Sequence, residues 1–377
     1  MRKRNFNGEG TVYYSESKNC WIGQYTKPNG TRSSVYAKTN TECKKKLKEK
    51  IREIEDGMYC EGSKLTIYQL GKNMLDTKFK ANLISETSYK REGESLKKIK
   101  EIGLGDIRIT DANRIIIQEK VNDLRTLANS YITKVFRKIS LIFEEAIIRE
   151  IIVKNPMIGV LKPRSEKEDK KVRALTVKEH RAFVNALENE KYKNIFLIDI
   201  NTGMRIGEIL ALKPENIDFE NNVIHVRTTL SKDLNDRPKL NNDKTKTYAG
   251  IRDIPFDEKT KRILKDSISK MTLNKHGVIF SEKNELIHPN TINTVFKRIC
   301  TNLGIPLRKG NTTLSTHSLR HTFATRCVEA GIANPVLQKI IGHKDIQVTI
   351  NTYTDILEPY RDSEFKKIIK YKASQNI

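Results

Sequence analysis

Apolar and polar positions follow two periods along this chain. Between Gly8 and Ala37, short aromatic and β-branched runs (Thr11-Val12-Tyr13-Tyr14, Trp21 to Tyr25, Arg32 to Tyr36) are separated by turn-forming stretches such as Lys27-Pro28-Asn29-Gly30. Such runs predict a three-stranded antiparallel sheet. From Thr41 to Glu55 the period becomes helical: Leu47, Ile51 and Ile54 form a stripe among Lys44, Lys45, Lys46, Lys48 and Lys50. A basic helix is therefore expected to cover the sheet, giving a β-β-β-α unit over residues 1–60.

From Leu65 to Val160 the pattern is helical throughout, clearest over Ser130 to Val153, where Val135, Ile139, Ile142, Phe143, Ala146 and Ile151 share one face. Asn155-Pro156 is expected to end that helix, because the residue before proline is pushed out of the α region. The expectation is an all-α domain over 64–160, then a charged linker over 161–171. Thr176 and Glu179 have capping-box spacing and open a last domain over 172–377. Its pattern predicts a helix past Phe183, an apolar helix around Ile195 to Ile200, and another from near Met204. Two β runs follow, Val223 to Val226 and Gly250 to Pro255, then helices from near Asn290, Ser318, Asn334 and Ile346. The mixture is mostly helix with one small sheet.

A chain of 377 residues exceeds one ordinary core, in keeping with several domains. Lys and Arg number 70 against 46 Asp and Glu, a formal charge of +24, which makes nucleic acid the first partner to consider. The five cysteines form no C-x-x-C pair, which argues against a zinc ribbon or a disulfide framework and suits a reducing cytosol. No apolar run follows Met1-Arg2-Lys3-Arg4, and nowhere do about 18 apolar residues occur together, so no signal peptide or membrane span is expected. The expectation is a cytoplasmic, nucleoid-associated protein.

Four strings in the last domain carry chemistry. Thr202-Gly203-Met204-Arg205-Ile206-Gly207-Glu208-Ile209-Leu210, His317-Ser318-Leu319-Arg320-His321, Ile341-Gly342-His343 and Thr349 to Thr354 follow one another over roughly 150 residues. In order and spacing they resemble the first arginine box, the H-x-x-R box, the L-G-H element and the tyrosine segment of tyrosine recombinases, the phage and conjugative-transposon integrases. The resemblance implies a multidomain protein with the DNA breaking-rejoining fold. It would comprise an arm-type DNA-binding sheet-and-helix unit, a helical, SAM-like core-binding domain, and a mainly-α catalytic domain with a small β-sheet. It also implies the nucleophile, Tyr353.

The chemistry required agrees. A phosphodiester resists attack because its charge repels nucleophiles, and the state formed on attack carries more charge still. Guanidiniums hold such oxygens bidentately and stay protonated, so Arg205 and Arg320 are the expected clamps. A tyrosine with an ordinary pKa near 10 needs help to lose its proton, and His317 is placed for that. By resemblance, His343 donates to a non-bridging oxygen and His321 supports its helix. The leaving 5′ oxygen needs a proton, which a lysine supplies in this family. Lys246 is the choice, with Lys244 in reserve, both between the two β runs. Glu208, one turn after Arg205, is expected to orient it through a buried ion pair.

His317 and His321 have metalloprotease spacing, but no glutamate lies between them and Arg320 would repel a cation, so no metal or other cofactor is expected. The three-strand unit resembles the family's arm-type domain, whose sheet enters the major groove, with Arg2, Lys3, Arg4, Trp21, Tyr25 and Arg32 as contacts. In the helical domain, Lys97, Lys98, Lys100, Lys134, Arg137 and Lys138 are candidates to follow the phosphate backbone. The implied partners are double-stranded attachment-site DNA, three further copies of the chain in a homotetramer, and an excisionase or DNA-bending accessory protein. The alternatives are a type IB topoisomerase, which rejoins the original strand, and a DNA-binding regulator with a decayed site.

Overall fold

The computed structural model describes residues 10–27, 30–55, 64–241, 251–342, and Lys372 and Ser374. Two compact units divide the chain, Met1–Glu168 and Asp169–Ile377.

In the first unit, β1 (Thr11–Ser15), β2 (Cys20–Thr26) and β3 (Arg32–Ala37) pair antiparallel in that order. The helix α1 (Asn40–Glu55) lies so close to β2 that a Cβ on Gly23 would sit 3.2 Å from the Cys43 sulfur and 2.9 Å from a Val35 methyl. Glycine there is a packing requirement. The sheet and this helix are as the periodicity led one to expect.

The helical part contains α2 (Ile67–Lys80), α3 (Glu86–Glu101), α4 (Arg114–Asn122) and α5 (Asn129–Ile148) around Leu70, Leu96, Ile139, Ile142 and Phe143. Helix α5 stops before the Asn155-Pro156 signal. Glu150 adopts φ 55°, its N–H bonds the Ile147 carbonyl at 2.8 Å, and the Ile151 N–H bonds the Ala146 carbonyl at 2.8 Å. This is a Schellman closure, built here without glycine, and it folds Ile151 back into the core. The charged stretch after it is no bare tether. Ser165 donates to the Leu127 carbonyl at 2.6 Å, while Lys171 belongs to a strand of the second unit.

The second unit opens with β4 (Lys171–Val172) and α6 (Val177–Ala186), whose Thr176–Glu179 capping box forms as the sequence suggests. There follow α7 (Lys193–Thr202), the single turn α8 (Ile206–Ile209), β5 (Ile217–Asp218), β6 (Val223–Val226), β7 (Thr229–Lys232), β8 (Pro238–Asn241) and β9 (Arg252–Pro255). Then come α9 (Glu258–Ser269), β10 (Ser281–Glu282), β11 (Glu285–Leu286), α10 (Pro289–Asn302), β12 (Arg308–Lys309), β13 (Thr312–Thr313), α11 (His317–Glu329) and α12 (Asn334–Ile341). In place of one small sheet, the described residues of this unit form four: β5-β6-β9, β7-β8, β10-β11 and β12-β13-β4, the last with β13 and β4 parallel. Strands of two to four residues are too short to show a period in sequence. Phe183 packs edge-on to Phe196 and tilted against Phe296 at the centre of this core.

Candidate active site

The site begins where α7 ends. Gly203 takes φ 63°, and a Cβ there would meet the Phe323 ring at 2.4 Å, so both backbone and space demand glycine. The chain turns and Arg205 precedes α8, its N–H donating to Glu208 Oε2 at 2.9 Å and its Nη1 to Glu208 Oε1 at 2.9 Å. The Arg205 side chain is 40% exposed, that of Glu208 only 5%. A buried carboxylate thus holds an accessible guanidinium.

A second arginine shares that carboxylate. In β9 the inward positions are Arg252 and Ile254, and Arg252 donates to Glu208 Oε1 at 3.0 Å and Oε2 at 2.7 Å. Burial opposes ionisation of Glu208, but bonding to Arg252, then the charges of Arg252 and Arg205, outweigh it and hold the carboxyl down to about 2. The sequence pattern singled out no role for Arg252. Its signal was a charged residue at an inward strand position.

Arg320, on α11, is 2% exposed. Its Nη1 donates to the Gly203 carbonyl at 2.7 Å and its Nη2 to the Ile341 carbonyl at 2.5 Å. Helix α12 ends at the same place. Its last carbonyls each take an arginine: Ile340 from Arg252 Nε at 2.7 Å, Ile341 from Arg320, and Gly342, at φ 72°, from Arg205 Nη2 at 3.1 Å. Carbonyls that a helix C-terminus leaves unpaired thereby draw three guanidiniums together.

One turn before Arg320, His317 stands exposed at the start of α11, edge-on to His321 with ring centroids 4.9 Å apart. Desolvation first, then the charges of Arg320 and Arg205, hold His317 below the ordinary imidazole range. Desolvation and the charges of His317 and Arg320 take His321 down to about 4. Both are neutral at physiological pH, so His317 can accept a proton. Asp199, on α7, is 1% exposed, and burial raises its carboxyl well above the usual range despite the opposing charge of Arg320. Three guanidiniums thus gather around the carboxylate of Glu208 and the end of α12, a setting that favours a bound anion and the extra charge of its transition state.

Among known proteins, a model of the phage integrase family matches residues 173–358, which span all of these groups. That part of the chain belongs to the phage integrase family, the tyrosine recombinases. The chain is 26% identical to a XerC-like tyrosine recombinase of Caldanaerobacter subterraneus over 94% of this chain and 95% of that one. It is also 26% identical to the transposase of transposon Tn916 from Enterococcus faecalis, over 89% and 85%. Its fold matches the Tn1549 transposon integrase solved with transposon right end DNA, with TM-score 0.67, 23% identity, and 81% and 100% of the two chains covered. A lambda integrase tetramer bound to a Holliday junction matches with TM-score 0.57 and 18% identity over 91% and 97%. The multidomain fold expected from the sequence is that of the tyrosine recombinases.

Among the tyrosine recombinase residues named from sequence, Arg205, Glu208, His317, Arg320 and His321 come together as described. His343, Tyr353, Lys246 and its alternative Lys244 lie outside the described residues, as do Arg2, Lys3 and Arg4. On the sheet, Trp21 and Tyr25 alternate with Gly23 on the face that α1 covers, and Tyr25 is buried. Arg32 is exposed on the opposite face, in the alternation of Tyr13, Gln24 and Tyr36. In the helical part, Lys97, Lys100, Lys134 and Arg137 are exposed and Lys98 is partly covered, donating to Glu101. Lys138 differs. It is 5% exposed and its amine meets Glu92 at 2.6 Å, since position 138 falls on the core stripe of α5 beside Ile139 and Ile142. Among the described residues no group of His, Cys, Asp and Glu is arranged to hold a metal, and no helix is long and apolar enough to cross a membrane.

Proposed function

We propose that this chain is a site-specific recombinase that integrates and excises a mobile element. Tyr353 attacks the scissile phosphate of an attachment site, forming a 3′-phosphotyrosine and releasing a 5′-hydroxyl. A 5′-hydroxyl from the partner duplex then attacks that linkage and regenerates the tyrosine. The bond is conserved throughout, so no external energy source enters. Arg205 and Arg320 stabilise the phosphate oxygens, neutral His317 takes the phenol proton, His343 donates to a non-bridging oxygen, and Lys246 protonates the leaving oxygen. Four copies act on two duplexes with an excisionase or bending protein, in the nucleoid, with residues 1–60 on arm-type DNA and 64–160 on the core site.

The convergence of Arg205 and Arg320 on one helix end, beside a neutral imidazole, carries this reading. Nicked duplexes tiled from the DNA flanking its gene test it. Strand exchange between two differently labelled duplexes is expected at one position; DNA binding without exchange at any tile overturns the reading.

A further inference from the structure

We propose that Arg252 is a positioning residue of the recombination site, joining the carboxylate that orients Arg205 to the end of α12 that receives Arg320. The inference rests on the recombinase reading. Arg252 is buried among protein groups and spends Nη1 and Nη2 on the two oxygens of Glu208 and Nε on the Ile340 carbonyl. It therefore acts on DNA only through its neighbours.

Three features make its position consequential. Glu208 is buried, and its other arginine partner is the more exposed one, so Arg252 keeps the carboxylate in place when Arg205 turns toward a phosphate. The Ile340 carbonyl it holds directly precedes the Ile341 carbonyl that takes Arg320. Finally, β9 is clamped from its outer side, where Asp253 accepts from Arg227 at 2.8 Å and pairs with His225 at 2.9 Å. The strand that carries Arg252 is thus fixed on both faces. A lysine there keeps the charge but cannot serve two carboxylate oxygens and a carbonyl from one planar fork.

Single-turnover cleavage of a nicked suicide duplex by the full chain, with DNA affinity measured in parallel, tests this. Arg252→Lys is expected to slow cleavage by about 10–100-fold, as small misplacements of reacting groups do. DNA affinity should stay within about twofold. Added to Arg205→Lys, the same change should cost much less than it does alone, because both act through one guanidinium. Should the single variant fold poorly, Glu208→Gln with Arg252→Met removes both buried charges together. That pair should bind DNA and cleave no faster than Glu208→Gln alone. A native cleavage rate in Arg252→Lys, or full additivity with Arg205→Lys, overturns the inference and leaves the recombinase reading standing. Absence of any adduct from the native chain removes both.

Discussion

Arg320 reaches from α11 to the carbonyl of Gly203, 2.7 Å away, so the H-x-x-R arginine is pinned to the turn that launches Arg205. Residues far apart in sequence are set by one glycine and one hydrogen bond. The arginine cluster is therefore a property of how α7, α8, α11 and α12 meet.

Gly203→Ala tests that junction. The left-handed backbone and the 2.4 Å approach of Phe323 both oppose a methyl group. A loss on the order of 1–3 kcal/mol is expected in urea unfolding, with cleavage lost alongside. Native stability in this variant would show that the turn relaxes freely.

Acid should weaken the second unit in two stages. His321 titrates at about 4 in the folded chain against 6.5 ordinarily, so the unfolded chain takes up its proton first. Its contribution is complete above pH 6.5 and is lost as pH falls toward 4, by roughly 2–3 kcal/mol. Glu208, at about 2 against 4.5, adds a further loss from pH 4.5 downward. Melting temperatures between pH 8 and 4 should fall less in His321→Gln than in the native chain. Parallel curves would contradict the assignment.

Asp199 gives the opposite sign. Its folded carboxyl titrates above the ordinary 3.8, so its contribution is complete below 3.8 and is lost as pH rises through the folded value. Asp199→Asn, neutral throughout, should stabilise the chain at pH 8 by on the order of 1 kcal/mol, with the gain fading toward pH 4. Destabilisation at pH 8 would mean that an ionised Asp199 is a needed partner of Arg320.

Neighbouring basic residues on α5 should separate. Lys138→Met leaves Glu92 without its buried ammonium and should cost about 1–3 kcal/mol of stability while leaving the salt dependence of DNA binding alone. Arg137→Ala, on the exposed face, should leave stability intact and reduce the salt slope by about one phosphate contact. The reverse pattern would reassign both.

Much of this was legible because its signals are local. The three strands, the basic helix, the Thr176–Glu179 cap and the two arginine boxes each announce themselves within a few residues. The end of α5 was not legible, because a Schellman closure through Glu150 carries no glycine and the proline signal lies further on. Nor was the burial of Lys138 or the covered placement of Trp21 and Tyr25, since strand alternation shows two faces without saying which one a helix will cover. Arg252 escaped notice because its partner, Glu208, is 44 residues distant and already seemed satisfied by Arg205.

Peptide mapping of the protein trapped on a nicked attachment-site duplex tests the central claim most directly. A tryptic peptide bearing a 3′-linked nucleotide on Tyr353, absent in Tyr353→Phe, is the expected result. An adduct on another residue, or none while strands are still exchanged, would contradict it.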